Sequence, residues 1–258
     1  MEVVIAAEDT IGDLVADEIA ELLEGRPDAV LGLATGSSPL RIYDAVAARV
    51  GRGETSLARA RAFTLDEYVG LAPGHPCSYR TVIDHDFVSR VDFAPGAVRG
   101  PDGNAPDLFA ECRAYDAAIA SAGGVDLQIL GIGTDGHIAF NEPGSSFASR
   151  TRVKTLAAQT RIDNARFFEG DVEAVPTHCL TQGLGTIMEA RHIVLVATGA
   201  GKAEAVHQLV EGAVSARWPA TILQHHARVT VLVDDVAAAR LRLADYYRHA
   251  YAQRHLVR

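Results

Sequence analysis

Short, nearly continuous apolar runs alternate with helical stripes along the whole chain. Val3–Ala7, Val30–Ala34, Ala62–Leu65, Leu127–Gly131, His192–Ala197 and Val229–Val233 read as strands, and runs of this kind mark strands covered on both faces. Between the first two, Asp9 or Thr10 is placed to cap a helix. Its buried stripe is Ile11, Leu14, Val15, Ile19, Leu22 and Leu23, and Gly25 ends it. Ser38 followed by Pro39 opens the next helix, since proline is tolerated at the first helical position. Further helices are predicted over 106–122, 179–190, 202–211 and 236–252. Strand–helix alternation of this type predicts an α/β fold on a mostly parallel sheet. No internal repeat, low-complexity tract or Pro/Ser-rich linker interrupts it, so one domain over residues 1–258 is expected. The stretch 140–178 is polar with little periodicity. A loop that long inside a compact domain is usually functional, and a lid within 145–178 is the expectation.

Composition narrows the classes. The chain has 258 residues, 48% of them hydrophobic and 22% charged, an ordinary globular profile. Its formal net charge of −9 and the lack of a dense Lys/Arg run argue against nucleic acid and anionic membrane as partners. No apolar run approaches the ~20 residues that span a bilayer, and the N-terminus lacks a basic region before its short apolar stretch. Cys77, Cys112 and Cys179 are odd in number and far apart, which fits reduced thiols in cytoplasm. The adjacent His225 and His226 lack the i, i+4 spacing of a helical metal site, so no metal is expected.

Four places carry candidate chemistry. Leu33-Ala-Thr-Gly-Ser-Ser-Pro39 lies between a strand and a helix. Such a turn aims backbone N–H groups and hydroxyls at one point with the helix dipole behind them, either as an anion site or as a simple capped turn. It lacks the lysine of a Walker loop. Asp66 and Glu67 follow a strand, where ligand crevices of open α/β sheets lie. On extended backbone only one of the two can face a substrate, and a solvated surface pair is the alternative. The segment Leu130–Gly144 contains Gly131-x-Gly133-x-x-Gly136. Pro143 and the absence of an acid near 153–156 set it apart from a dinucleotide fingerprint. What remains is Asp135-x-His137 with Glu142 beyond it, a histidine oriented by carboxylates and suited to proton transfer. Last come scattered cations: Arg150, Arg152, Lys154, Arg161 and Arg166 in the irregular stretch, and Lys202 at the start of a helix.

At these motifs the sequence resembles the glucosamine-6-phosphate deaminase family. The resemblance runs from Gly32-Leu-Ala-Thr-Gly-Ser-Ser-Pro39 to Trp218-Pro-Ala-Thr-Ile-Leu-Gln-His225, through Leu65-Asp-Glu-Tyr-Val-Gly-Leu71, His75-Pro-Cys-Ser-Tyr-Arg80 and Gly136-His-Ile-Ala-Phe-Asn-Glu-Pro-Gly-Ser-Ser146. Ser149-Arg-Thr-Arg-Val-Lys-Thr-Leu156 and Arg166-Phe-Phe168 complete it. It implies a single-domain three-layer αβα sandwich with a modified Rossmann-like, mostly parallel sheet. It also implies conversion of glucosamine 6-phosphate to fructose 6-phosphate and ammonia, without cofactor or metal. Asp66 matches the general base between sugar carbons, and Asp135, His137 and Glu142 match the ring-opening groups. Gly36, Ser37, Ser38, Arg166 and Lys202 match the phosphate loop and its cations. Ser145, Ser146, Arg152 and Lys154 match a second phosphosugar site in members activated by N-acetylglucosamine 6-phosphate. That site lies between subunits, and the family includes monomers and hexamers. Gln182 stands where an aliphatic residue is usual, and the C-terminal tail diverges. The weighed alternatives are a galactosamine-6-phosphate deaminase, a 6-phosphogluconolactonase and a phosphosugar-sensing regulatory module. The lactonase pattern departs at Ile138-Ala-Phe-Asn-Glu142, and a regulator would need a DNA-binding region that residues before 30 do not supply.

Overall fold

The computed structural model of the chain describes residues 1–254, so the last four residues of the expected domain, in the divergent tail, lie outside the described residues. In chain order the elements begin β1 (Glu2–Ile5), α1 (Glu8–Gly25), β2 (Val30–Leu33), α2 (Leu40–Gly51), β3 (Arg61–Thr64) and β4 (Asp66–Tyr68). Then come α3 (Tyr79–Asp86), β5 (Val98–Arg99), α4 (Leu108–Ser121), β6 (Leu127–Leu130), β7 (Arg152–Thr155) and α5 (Ala158–Asn164). The chain closes with β8 (His178–Thr181), α6 (Leu184–Ile187), β9 (His192–Ala197), α7 (Ala203–Glu211), β10 (Val229–Val233) and α8 (Ala244–Ala252).

Seven strands form one sheet in the order β1-β10-β9-β6-β2-β3-β5, parallel at every pairing. Every residue of β2, β6, β9 and β10 is buried. A strand can be buried along its full length only where both faces are covered, which is why these strands read as unbroken apolar runs. The expected Rossmann-like three-layer arrangement is therefore present. From β2 the chain moves outward through β3 to β5, then returns to insert β6 on the other side of β2 and runs outward again through β9 and β10. The strand order thus reverses between β2 and β6, and the crevice beyond their carboxyl ends is where this architecture binds ligands.

Helix α1 shows how local sequence meets the core. Ile11, Val15, Ile19 and Leu23 recur every fourth residue and are all buried. Full burial of such side chains contributes about 1.5–3 kcal/mol each. The helix starts one or two residues before the expected cap. Glu8 and Asp9 occupy its first turn, where negative charge complements the dipole, and the Thr10 hydroxyl donates back to the Ala7 carbonyl at 2.8 Å. Similarly α2 begins at Leu40 with Pro39 at the cap position and no side chain capping it, which leaves the Ser38 hydroxyl uncommitted.

Three expectations are corrected. The helix over 179–190 is instead β8 followed by the short α6. The reason is non-local: β8 pairs antiparallel with β4 on one side and β7 on the other, forming a second, three-stranded sheet. Residues 140–178 are correspondingly less irregular than their polarity suggests, since they hold β7 and α5. The helix over 236–252 shortens to α8, beginning at Ala244.

Candidate active site

A cleft of about 1130 Å³ opens at the switch point. It is lined by Gly36, Ser37 and Ser38 after β2, by Asp66 after β3, by Gly131, Gly133 and His137 after β6, and by Lys202 after β9. Residues Gln159 to Glu169, Arg166 among them, supply much of another wall. The loop after β2 is held at its root by Tyr43 of α2. That hydroxyl donates to the Ala34 carbonyl at 2.6 Å and accepts from the Ala34 N–H at 3.1 Å. Gly36 then turns with φ +93°, a conformation nearly reserved to glycine.

Asp66 and Glu67 are both buried, so the solvated surface pair is excluded. They point apart, as extended backbone requires. Glu67 turns away from the cleft into the start of α3, where Oε1 accepts from the Tyr68 and Tyr79 N–H groups at 2.8 and 2.9 Å. Its Oε2 accepts from the Ser78 hydroxyl at 3.0 Å and the Arg80 N–H at 2.9 Å. Asp66 faces the cleft, and no described residue donates a hydrogen bond to its carboxylate. Burial first, and the neighbouring Glu67 charge second, raise its pKa well above the ordinary carboxylate range. That is the shift that makes a carboxylate a stronger proton acceptor.

Opposite stands the loop after β6. No helix follows Gly131-x-Gly133-x-x-Gly136, in keeping with its reading as something other than a dinucleotide fingerprint. Its glycines have a different purpose: a Cβ on Gly133 would lie 2.2 Å from the His137 ring. Gly136, at φ +84°, packs where a Cβ would meet the Trp218 ring at 2.6 Å. Asp135 Oδ1 lies 2.7 Å from His137 Nδ1 and accepts from the His137 N–H at 3.2 Å. Burial disfavours the Asp135 charge, yet the hydrogen bonds and charge of His137 outweigh it and hold its pKa at about 2. Glu142, buried, completes the cluster: ligand atoms of Asp135, His137 and Glu142 lie within 4.8 Å of one another. These three residues have the donor types a divalent cation would use. Of the three, His137 lines the cleft.

The cations divide into three groups. Arg150 is ion-paired with Glu189 at 2.5 Å and Asp116 at 3.3 Å, and Arg161 donates to the Val172 and Val175 carbonyls at 2.7 and 3.2 Å. Those two hold the fold. Arg166 and Lys202 line the cleft without a carboxylate ion-pair partner among the described residues. Burial, then the Arg166 charge, push the Lys202 pKa down. Two neighbouring cations without a carboxylate partner, with two serine hydroxyls in the same cleft, are the donor set an anion would use. Arg152 sits outside the cleft on β7, half-buried, its Nη2 donating to Ser145 Oγ at 3.3 Å. Burial lowers its pKa. Lys154 follows on the same face of β7, whereas the Ser146 hydroxyl accepts from the Ala148 N–H at 3.2 Å.

Several cleft residues escaped the sequence reading. Ala139 lines the cleft with φ +50°, a strain that only the folded loop reveals. Asn164 of α5 donates to the Tyr68 hydroxyl at 2.8 Å across the cleft. Thr160 of α5 donates to Glu142 Oε1 at 2.5 Å. Gln182, noted as unusual, bridges the two sheets through bonds to the Thr64 carbonyl at 2.9 Å and, by its backbone N–H, to the Leu65 carbonyl at 2.8 Å.

Comparison with known proteins agrees with this geometry. The family described as glucosamine-6-phosphate isomerases/6-phosphogluconolactonase matches residues 5–232. A glucosamine-6-phosphate deaminase of Beutenbergia cavernae is 71% identical over 98% of this chain and 97% of its own. One of Mycolicibacterium smegmatis is 69% identical over 97% of both. Among solved structures, a monomeric glucosamine-6-phosphate deaminase superposes with TM-score 0.90 at 42% identity, covering 93% of this chain and 99% of that one. The 6-phosphogluconolactonase of Trypanosoma cruzi, with TM-score 0.75 but 19% identity over 93% of this chain and 97% of its own, shares the fold alone. The chain belongs to the glucosamine-6-phosphate isomerase/6-phosphogluconolactonase family and, within it, to the glucosamine-6-phosphate deaminases.

Proposed function

We infer that this protein isomerises and hydrolytically deaminates glucosamine 6-phosphate, giving fructose 6-phosphate and ammonia. The observation that carries the reading is Asp66: a buried, unpartnered carboxylate of raised pKa, sharing a cleft with His137, Arg166 and Lys202. Arg166, Lys202 and the Gly36–Ser38 turn hold the phosphate and so fix the sugar carbons against Asp66. Such positioning contributes several kcal/mol. His137, oriented by Asp135 and supported by Glu142, carries a proton from the anomeric hydroxyl to the ring oxygen, and the ring opens. Asp66 takes the C2 proton, giving an enolamine that is reprotonated at C1. Water adds to the resulting C2 imine and ammonia leaves. The phosphosugar is the small-molecule partner, and the free thiols of Cys77, Cys112 and Cys179 support a cytoplasmic setting.

The test is ammonia release from glucosamine, N-acetylglucosamine and galactosamine 6-phosphates, with 6-phosphogluconolactone hydrolysis alongside. Glucosamine 6-phosphate should be preferred. Ammonia from the galactosamine epimer alone, or lactone hydrolysis without ammonia, overturns the reading.

A second phosphosugar site at Ser145, Ser146, Arg152 and Lys154 is supported by one contact, Arg152 to Ser145, on a guanidinium with no carboxylate ion-pair partner among the described residues. In the family such a site lies between subunits and requires an oligomer. Likeness to a solved monomeric deaminase supports the opposite reading, in which Arg152 and Lys154 are surface charges. Sedimentation with and without N-acetylglucosamine 6-phosphate separates the two: a monomer with hyperbolic, effector-independent kinetics removes the second site.

A further inference from the structure

Helix α5 supplies Gln159, Thr160, Asp163 and Asn164 to the cleft wall, yet the helix is thinly packed: Thr160 is its one buried residue. That side chain does not go into an apolar core. Its hydroxyl donates to Glu142 Oε1 at 2.5 Å, and the N–H of Ala157, at the cap of the same helix, approaches the same oxygen at 3.4 Å. Both hydrogen bonds to the Glu142 carboxylate therefore come from one short element and its cap. The other oxygen, Oε2, is buried without a partner, and one oxygen of this carboxylate lies within 4.8 Å of ligand atoms of Asp135 and His137. A buried carboxylate with one unsatisfied oxygen is costly unless the remaining bonds are strong. The short hydroxyl-to-carboxylate bond from Thr160 is of the strong kind.

We propose that Thr160 is a positioning residue: through it, the seating of α5 against the cleft sets the orientation of Glu142 beside the Asp135–His137 pair. Resting on the ring-opening role of Glu142 given above, this adds a dependence that role alone does not contain. With α5 seated, Oε1 is fixed and Oε2 is the acceptor left without a donor. With α5 unseated, Glu142 loses both donors at once and its carboxylate is no longer held. The Asn164 bond to the Tyr68 hydroxyl, at the other end of the helix, ties the same movement to the strand that begins with Asp66.

Thr160→Val removes the hydroxyl while keeping the shape, and Thr160→Ser keeps the hydroxyl. Steady-state kinetics on glucosamine 6-phosphate should show kcat for Thr160→Val reduced about tenfold or more, the size expected for a lost charge-assisted hydrogen bond. KM should change little, because the phosphate site is elsewhere in the cleft. Thr160→Ser should recover most of kcat. In a Glu142→Gln background, Thr160→Val should add no further loss, which a merely structural role would not predict. If Glu142→Gln is impaired while Thr160→Val keeps wild-type kcat, or if the two losses multiply, the positioning role is overturned and the ring-opening role stands. If Glu142→Gln itself keeps wild-type kcat, the ring-opening role falls and the proposal with it. Melting temperatures of each variant, measured in parallel, separate a folding defect from a catalytic one, and Thr160→Ser carries the test should Thr160→Val fold poorly.

Discussion

Replacing Asp66 with asparagine should make the enzyme slower and the fold more stable at once. The carboxylate is buried, accepts no hydrogen bond from a described residue, and has its pKa raised by burial and by Glu67. Asparagine preserves shape but cannot take the C2 proton. Loss of a general base typically costs ~10²–10⁴-fold in turnover, about 2.7–5.5 kcal/mol of barrier. For stability the sign runs the other way. A carboxyl whose folded pKa is raised holds its proton more tightly folded than unfolded. Ionisation therefore costs stability as pH climbs from the unfolded value, about 3.9, through the folded one. Removing the charge should return about 1–2 kcal/mol at pH 7.5, or roughly 2–8 °C in melting temperature for a chain of this size. The gain should shrink as pH falls toward 4, where the folded carboxyl is protonated and about half of the unfolded carboxyls are too. Ammonia-release kinetics and differential scanning calorimetry across pH 4–8 measure the two effects. Turnover above a tenth of wild type would remove Asp66 from the mechanism. A variant that melts lower than wild type at pH 7.5 would refute the account of its buried charge.

The remaining predictions concern the groups around it. His137→Gln should impair turnover of the closed sugar more than the reverse reaction of acyclic fructose 6-phosphate, and an equal loss in both directions would mean His137 also acts in carbon-proton transfer. Lys202→Ala and Arg166→Ala should each raise KM by about 10–150-fold, the equivalent of 1.5–3 kcal/mol per charge-assisted contact. Isothermal titration with the phosphosugar checks this, and normal binding by both variants would move the phosphate elsewhere. Glu67→Gln removes the second cause of the raised Asp66 pKa, so the acidic limb of kcat/KM should shift to lower pH, with lower stability from weakened bonds to the start of α3. A limb that does not move, or moves up, contradicts the coupling.

Where the sequence was legible, each feature had a local cause. The main-sheet strands announce themselves because burial on both faces demands unbroken apolar residues, and α1 because its stripe repeats at helical spacing. Asp66, His137, Ser38 and Lys202 could be placed in one cleft because each follows a strand. The failures share a cause as well. Cys179-Leu-Thr181 becomes a strand only because β4 and β7 lie beside it, and no pattern within those residues contains that partner. The same holds for Thr160. A threonine in a polar stretch looks like surface until the chain brings Glu142 to it from 18 residues away. Glu67 reads as the twin of Asp66 by type, and its bonds to Ser78, Tyr79 and Arg80 show it to be a structural anchor.

The placement of the cleft groups has an evolutionary consequence. The phosphate turn, Asp66, the His137 loop and Lys202 each hang beyond the carboxyl end of a different strand, while the buried strand residues that stabilise the sheet lie below them. The groups proposed to carry the chemistry and the residues that build the sheet core are thus largely separate sets. Loop tips can be exchanged on this frame at little cost to its stability, provided glycine persists where a side chain would strike the histidine ring, as at Gly133. That modularity accounts for a lactonase sharing the architecture at 19% identity: the frame tolerates a change of reaction because it was never asked to perform one.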